Sequence, residues 1–351
     1  MTEHRLGSER HDPENLALAG RKAWIISDGK AGHEVQCLGV ANALGLVTEI
    51  KRVAPGQIFR WSAPWGPVNP AERFGQAGAP FAPPWPAIAF AAGRLTIPYI
   101  RALKRRAGLA TFTVILLDPR TPASSADLMW VPAHDKRRGP NVVTTLTSPH
   151  GFTAERLAGL RAAMPPEIAA LPSPRIAVLI GGPNGDYKFT AADADRMARA
   201  LAGFSRAGAG LMISPSRRTP PAFLATIGAA TAAAPRILFN GQGDNPYAGF
   251  LAHADAFIVT ADSVNMAGEA AATGKPIYVF EPSGGGAKFS RFHQGLRTHG
   301  ATRALPDDGG PIVLWSYAPL DSAAIIAAEI ARRCRIRAEL IPGLAGAGGG
   351  R

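Results

Sequence analysis

Cysteine is almost absent from this chain of 351 residues: Cys37 and Cys334 stand far apart, with no partner spacing. That excludes a disulfide framework and a cysteine-based metal cluster, and it suits a reducing cytoplasm. Long apolar runs are missing too. The best candidate, Pro86 to Ile100, is short and broken by Arg94 and Pro98, so it cannot span a bilayer. Aromatic residues amount to 7% and are sparse around the basic runs, so no nucleic-acid-binding module is legible and no nucleic-acid partner is expected. Acidic residues are the scarcer charge, 26 against 38 Lys and Arg. No Gly-Lys-Ser/Thr phosphate loop, no Gly-x-Ser-x-Gly nucleophile turn and no metal-ligand spacing occurs, so no metal is expected. The first twenty residues are polar and lack an apolar core, which argues against a secretory signal and predicts a frayed segment.

What remains is a globular composition, 46% hydrophobic and 18% charged, with length enough for two domains. The 39 Gly and 31 Pro are dispersed and form no periodic repeat. The net charge of +12 gathers at Arg101, Lys104, Arg105 and Arg106, at Lys136, Arg137 and Arg138, and at Arg332, Arg333, Arg335 and Arg337. Such a balance favours a polyanion, an anionic lipid surface or a phosphorylated substrate, with a merely solvated surface as the plain alternative.

Apolar β-branched runs alternate with amphipathic stretches along the chain. Strands are predicted at 23–27, 47–53, 113–117, 128–131 and 142–146, with a helix at 35–44 after the loop Asp28 to Glu34. A helix over 155–164 and then Pro165-Pro166 and Pro172-Ser173-Pro174 mark a linker. The pattern restarts with strands at 175–180, 210–214, 236–239, 257–259 and 276–280, and a last helix spans 322–337. The division this suggests is residues 1–20 disordered, 21–165 and 175–322 as Rossmann-like domains, and 323–351 as a terminal helix and Gly-rich tail. Two such βαβ series imply an α/β protein with two domains facing a cleft. The insertion at 59–108, with Trp61, Trp65 and Trp85, reads either as core helices with a Pro-rich loop or as a membrane-docking element. In the second reading the aliphatic residues of 86–100 enter the interface beside the Arg101 cluster.

Polar residues recur where predicted strands end, which is where open α/β sheets bind ligands. In the first half, Asp28, Lys30 and His33 crowd one turn. Imidazole exchanges protons near neutral pH as a residue type, so His33 is a candidate base and Asp28 its partner, against a locally bonded helix-start histidine. Asp118 and His134 follow later strands on the same side. In the second half, Gly181, Gly182 and Asn184 form a turn that can present amides to phosphate oxygens, and Ser216, Arg217, Arg218 and Thr219 offer hydroxyls and guanidiniums. Asn245 lies in a third loop. Ser263, Met266 and Glu269 lie on a short helix after the strand at 257–259, where a carboxylate can hold a ribose.

Asp28-Gly29-Lys30-Ala31-Gly32-His33-Glu34, Leu117-Asp118-Pro119-Arg120, Gly181-Gly182-Pro183-Asn184, Ser216-Arg217-Arg218-Thr219, Asp244-Asn245-Pro246-Tyr247 and Thr260-Ala261-Asp262-Ser263 through Glu269 together resemble the mitochondrial fission Elm ("elongated mitochondria") family. The similarity runs from about Trp24 to Ile330, and the family is similar in turn to GT-B glycosyltransferases. This resemblance implies a GT-B fold and a nucleoside-diphosphate sugar held by the C-terminal domain, without a separate cofactor. It places Glu269 on the ribose, Gly182 to Asn184 and Ser263 near the diphosphate, Met266 near the sugar or base, and His33 as the acceptor-side base. A bacterial member is expected, transferring a sugar to an envelope acceptor, lipid-linked acceptors included, from the cytoplasm or the inner-membrane surface. The other readings are a non-catalytic adaptor that binds a membrane or partner protein, as plant members do in organelle division, and a nucleotide-sugar epimerase.

Overall fold

The computed structural model describes residues 18–340. The N-terminal lobe runs β1 (Lys22–Ser27), α1 (Ala31–Ala43), β2 (Val47–Arg52), α2 (Gln57–Ser62), β3 (Ile88–Ala92), α3 (Ile97–Ala107), β4 (Phe112–Leu116), β5 (Leu128–Pro132) and β6 (Val142–Thr145). All neighbouring strands are parallel, in the order β2-β1-β3-β4-β5-β6. Helical crossovers cover the centre of the sheet, where β1, β3, β4 and β5 are buried on both faces, while the edge strand β2 is largely exposed. Alternate residues serve the two faces. Ile25, Phe90, Val114 and Trp130 pack under α1, while Trp24, Ile26, Ala91 and Ile115 pack under α3.

Two short helices, α4 (Ala154–Arg161) and α5 (Pro166–Ala169), fill the connection between lobes. The C-terminal lobe then runs β7 (Arg175–Ile180), α6 (Ala191–Arg206), β8 (Gly210–Pro215), α7 (Pro221–Ala230), β9 (Arg236–Leu238), α8 (Tyr247–His253), β10 (Ala256–Thr260), α9 (Val264–Ala271), β11 (Ile277–Phe280), α10 (Ala287–Thr298) and β12 (Thr302–Ala304). Its sheet order is β12-β11-β10-β7-β8-β9, again parallel throughout. The strand order reverses between β7 and β10 here, and between β1 and β3 in the first lobe. Those are the topological switch points, where an open crevice forms beyond the strand ends.

The chain then returns. The final helix, α11 (Ser322–Leu340), lays Ile326, Ala327, Ile330 and Ala331 into the N-terminal lobe's core beside α1. Arg337 reaches the carbonyls of Gly108 and Thr111, and Arg333 that of Pro140. The terminal helix is therefore part of the first lobe and not a separate appendage. Within that lobe, Thr147 and Ser322 share a hydroxyl hydrogen bond of 2.6 Å; between the lobes, Lys288 pairs with Asp135 at 3.1 Å and Arg291 donates to the carbonyl of His134. The result is the two-lobed α/β arrangement that the sequence implied.

Several sequence expectations change. Residues 86–100 are not an interfacial element: they form β3 and the start of α3, with Ile88–Ala92 fully buried. Leu18 is buried under the first sheet and the Gly20 amide bonds to Gly45, so the described residues 18–20 are anchored. The expected frayed start up to residue 17 and the Gly-rich tail from 341 lie outside the described residues. No helix among the described residues is long and apolar enough to cross a membrane.

Candidate functional site

At the first lobe's switch point, α1 begins at Ala31, four residues earlier than expected, so His33 and Glu34 stand on its first turn and not in the preceding loop. That turn sets His33 Nδ1 2.9 Å from Asp28 Oδ1. The Asp28 side chain is almost wholly buried (2%) and accepts from its partners, which fixes Nδ1 as the protonated nitrogen and leaves Nε2 as the basic one. Lys30 Nζ lies 3.6 Å from the other Asp28 oxygen and is otherwise exposed. Beneath the pair, Gly93 ends β3 with φ +90°, and a Cβ there would stand 2.6 Å from His33 Cε1 and 2.8 Å from Asp28 Oδ2. Only glycine fits. Glu34 faces away from this pair, accepting from Ser27 and from both arms of Arg52, whose guanidinium holds the carboxyl below its ordinary range.

His33 lines a cavity of about 460 Å³ together with Trp65, Gly93, Arg94, Asp118 and Arg120. Asp118 is thus brought to His33, but its carboxylate accepts from Arg137 at 2.8 Å and from the Arg120 amide. Leu117 (φ 74°) and Arg120 (φ 54°) sit in left-handed backbone on either side of it, a strained turn of the kind that clusters at functional sites. His134 is not brought there. It is buried at the seam against the Phe292 ring, 5.7 Å between centroids, and burial with Lys288 pushes it down to about 4, so it is neutral.

In the second lobe one buried carboxylate ties three loops together. Asp262, with a fully buried side chain, accepts from the Gly182 amide (2.9 Å), the Arg218 guanidinium (3.0 Å) and the Thr260 hydroxyl (2.7 Å). The Gly181 amide is taken by Thr260 Oγ1. Both strand-end amides expected to meet phosphate are therefore occupied, because the turn is pulled onto Asp262. A Cβ at Gly181 would clash with that carboxylate, and one at Gly182 with the Arg218 carbonyl. Arg218 also caps the carbonyls of Gly182 and Pro183. Thr219 Oγ1 bonds the Ile180 and Gly181 carbonyls, and Ser216 closes the same turn. Arg217 is exposed and makes no side-chain hydrogen bond or ion pair among the described residues. Asn184 and Asn245 each accept from amides two or three residues on, capping their own loops.

Ser263 caps α9 by accepting from the Met266 amide, so the helix's open first turn and its positive end face the switch point. Met266 packs against the apolar core beneath. Glu269 lies six residues on, roughly 9 Å along the axis from the cap. It accepts a hydrogen bond from the Tyr247 hydroxyl at the head of α8, and burial pushes its carboxyl up to about 7 despite Tyr247 and Arg156. The loop of Asn245 thus joins the site through Tyr247. Tyr247 itself sits edge-on to Phe152 of the inter-lobe connection.

Asp262, Tyr247 and Gly93 were missed as site residues, as was a second cavity of about 450 Å³. This cavity is lined by Tyr187, Gly284, Gly285, Gly286, Ser290 and His293. Three consecutive glycines between a strand and a helix were the available signal. His293 Nε2 meets the Ala261 carbonyl at 2.8 Å, which joins that cavity to the strand end before Asp262. Among the described residues no cluster of three or more metal-ligating side chains occurs.

The sequence profile of the family described as Mitochondrial fission ELM1 matches residues 31–334. The chain is 28% identical to the mitochondrial fission protein ELM1 of Arabidopsis thaliana, over 90% of this chain and 92% of that one. Among solved structures, MurG of Acinetobacter baumannii is similar with a TM-score of 0.48 at 14% identity, covering 93% of this chain and 99% of its own. MnaA of S. aureus, in a co-structure with UDP, is similar with a TM-score of 0.49 at 10% identity, covering 90% of each chain.

Proposed function

We propose, for a chain that belongs to the mitochondrial fission ELM1 family, transfer of a glycosyl group from a nucleoside-diphosphate sugar to a hydroxyl acceptor of the cell envelope. One observation carries this reading: each lobe places a convergent polar set at its own topological switch point, a histidine–aspartate pair with a cavity in the first and a capped helix end with a distal carboxylate in the second. That division suits a two-substrate reaction across a crevice.

In this reading the donor's diphosphate lies at the open first turn of α9, beside the exposed Arg217 guanidinium, and the ribose hydroxyls donate to Glu269 in place of Tyr247. The acceptor hydroxyl occupies the cavity at His33. His33 Nε2 takes its proton as the oxygen bonds to the anomeric carbon, and the bond from that carbon to the diphosphate oxygen breaks. Asp28 holds the imidazole in the required tautomer and stabilises the imidazolium. The charge left on the nucleoside diphosphate meets the helix amides and Arg217. The excess of cations, 38 Lys and Arg against 26 Asp and Glu, agrees with work at an anionic membrane surface.

The test is a thermal-shift screen of the full chain with nucleoside diphosphates and their sugars, followed by mass analysis of products. His33→Ala is expected to keep nucleotide binding and lower turnover by about 10²–10⁴-fold, the range for a general base. Stabilisation by no nucleotide, or turnover unchanged in His33→Ala, ends the proposal.

A further inference from the structure

The largest exposed apolar side chains gather on one edge. Ile58 (77% exposed) and Trp61 (84%) share a face of α2, one turn apart, and Trp65 (58%) follows in the next loop. A folded surface seldom leaves two indoles and an isoleucine in water without a use for them. The edge is held out stiffly. Arg94 donates to the Ala63 carbonyl at 2.6 Å, and Arg101 to those of Pro64 and Trp65 at 3.1 and 3.0 Å.

The charge around this edge has one sign. Arg60 lies within α2, exposed and with no ion pair or side-chain hydrogen bond among the described residues. From 73 to 117 the sequence holds six cations and no Asp or Glu. The nearest flanking acids are engaged, Glu72 by the Tyr99 hydroxyl and Asp118 by Arg137. Indole rings favour the headgroup level of a bilayer, and cations beside them meet anionic phosphates. The edge is also continuous with the acceptor cavity, since Trp65 and Arg94 belong to the wall that holds His33.

We propose that Ile58, Trp61 and Trp65 dock on an anionic phospholipid surface, with the mouth of the His33 cavity turned to the lipid, so that the acceptor hydroxyl is carried by a membrane amphiphile. The acceptor assignment rests on the transfer reaction proposed above; the docking does not. A protein partner or a second copy would not require Arg60, Arg94 and Arg101 beside the indoles, whereas an anionic bilayer does.

The experiment is flotation of the full chain with phosphatidylcholine vesicles and with mixed phosphatidylcholine–phosphatidylglycerol vesicles, with nucleotide titration of the same preparations. Binding to the mixed vesicles is expected to exceed that to phosphatidylcholine by about tenfold and to fall as salt rises. Ile58→Ser with Trp61→Ser, neither of which lines the His33 cavity, is expected to weaken binding by about tenfold or more. The same variant should leave the melting temperature and nucleotide affinity unchanged. Arg60→Glu should lower the preference for the anionic vesicles alone. Equal flotation with both vesicle types, full binding by the double serine variant, or a concentration-dependent dimer that the double variant abolishes each overturns the docking. Flotation without any nucleotide binding leaves the docking standing and removes the catalytic reading.

Discussion

Glu269→Gln isolates a charge that the fold resists. Raising this carboxyl from its ordinary 4.5 to about 7 corresponds, at about 1.36 kcal/mol per pH unit, to about 3 kcal/mol. The folded value lies above the unfolded one, so the group's contribution to stability is complete below about pH 4.5 and is lost as pH rises through 7. Glutamine keeps the shape and an acceptor for the Tyr247 hydroxyl but never ionises. The variant should therefore exceed the parent by only about 1 kcal/mol at pH 5 and by about 3 kcal/mol at pH 8.5. For a lobe of this size that is a melting shift of about 2–4 °C per kcal/mol. Melting curves by circular dichroism from pH 5 to 8.5 measure it. The same substitution should weaken nucleoside-diphosphate binding by about tenfold or more, because ribose hydroxyls donate more strongly to a carboxylate than to an amide. The parent's affinity should rise as pH passes 7, with the variant's flat. An offset between the two melting curves that does not change with pH would refute the buried-carboxyl argument.

Gly93→Ala should disorder the His33–Asp28 pair, since the added methyl meets both side chains and strains a φ of +90°. Turnover should fall by about tenfold or more while nucleotide affinity measured by calorimetry holds. Asp262→Ala removes the shared acceptor of Gly182, Thr260 and Arg218. Arg218 is half exposed and can turn to water, so the cost in urea unfolding should be about 3 kcal/mol and not more. Hydrogen exchange should quicken in the loops at 181–187 and 216–219 in that variant, and unchanged exchange there would contradict Asp262 as their tie.

The sequence made most strands legible because five-residue apolar runs ending in polar turns have few other solutions. It failed at β3. Ile-Ala-Phe-Ala-Ala between prolines has neither alternation nor β-branching, and buried on both faces it matches a core helix as well as a strand. Missing β3 hid Gly93 and let the aliphatic stretch 86–100, which is core, stand as the candidate for membrane contact. Helix α10 and strand β12 also went unread, because the Gly triplet before α10 resembled an ordinary loop. In the candidate site, Ser263 and Glu269 were placeable from a strand–cap–helix pattern. The Gly181 and Gly182 amides were read as free donors because nothing local shows that Asp262, eighty positions away, accepts from one of them.

The chain by itself determined its class: parallel strands with helical crossovers follow from local apolar periodicity, and the chemistry-bearing loops follow from strand ends. Which of those loops cooperate was decided only by tertiary packing. Strand order places β1 beside β3 and β7 beside β10, and these neighbours are set by burial of whole faces, not by any nearby residue. The same packing decides which polar groups remain open. Arg218 and the Gly182 amide are drawn onto a buried carboxylate, whereas Arg217 stays exposed without a partner among the described residues and His33 lines the first lobe's cavity.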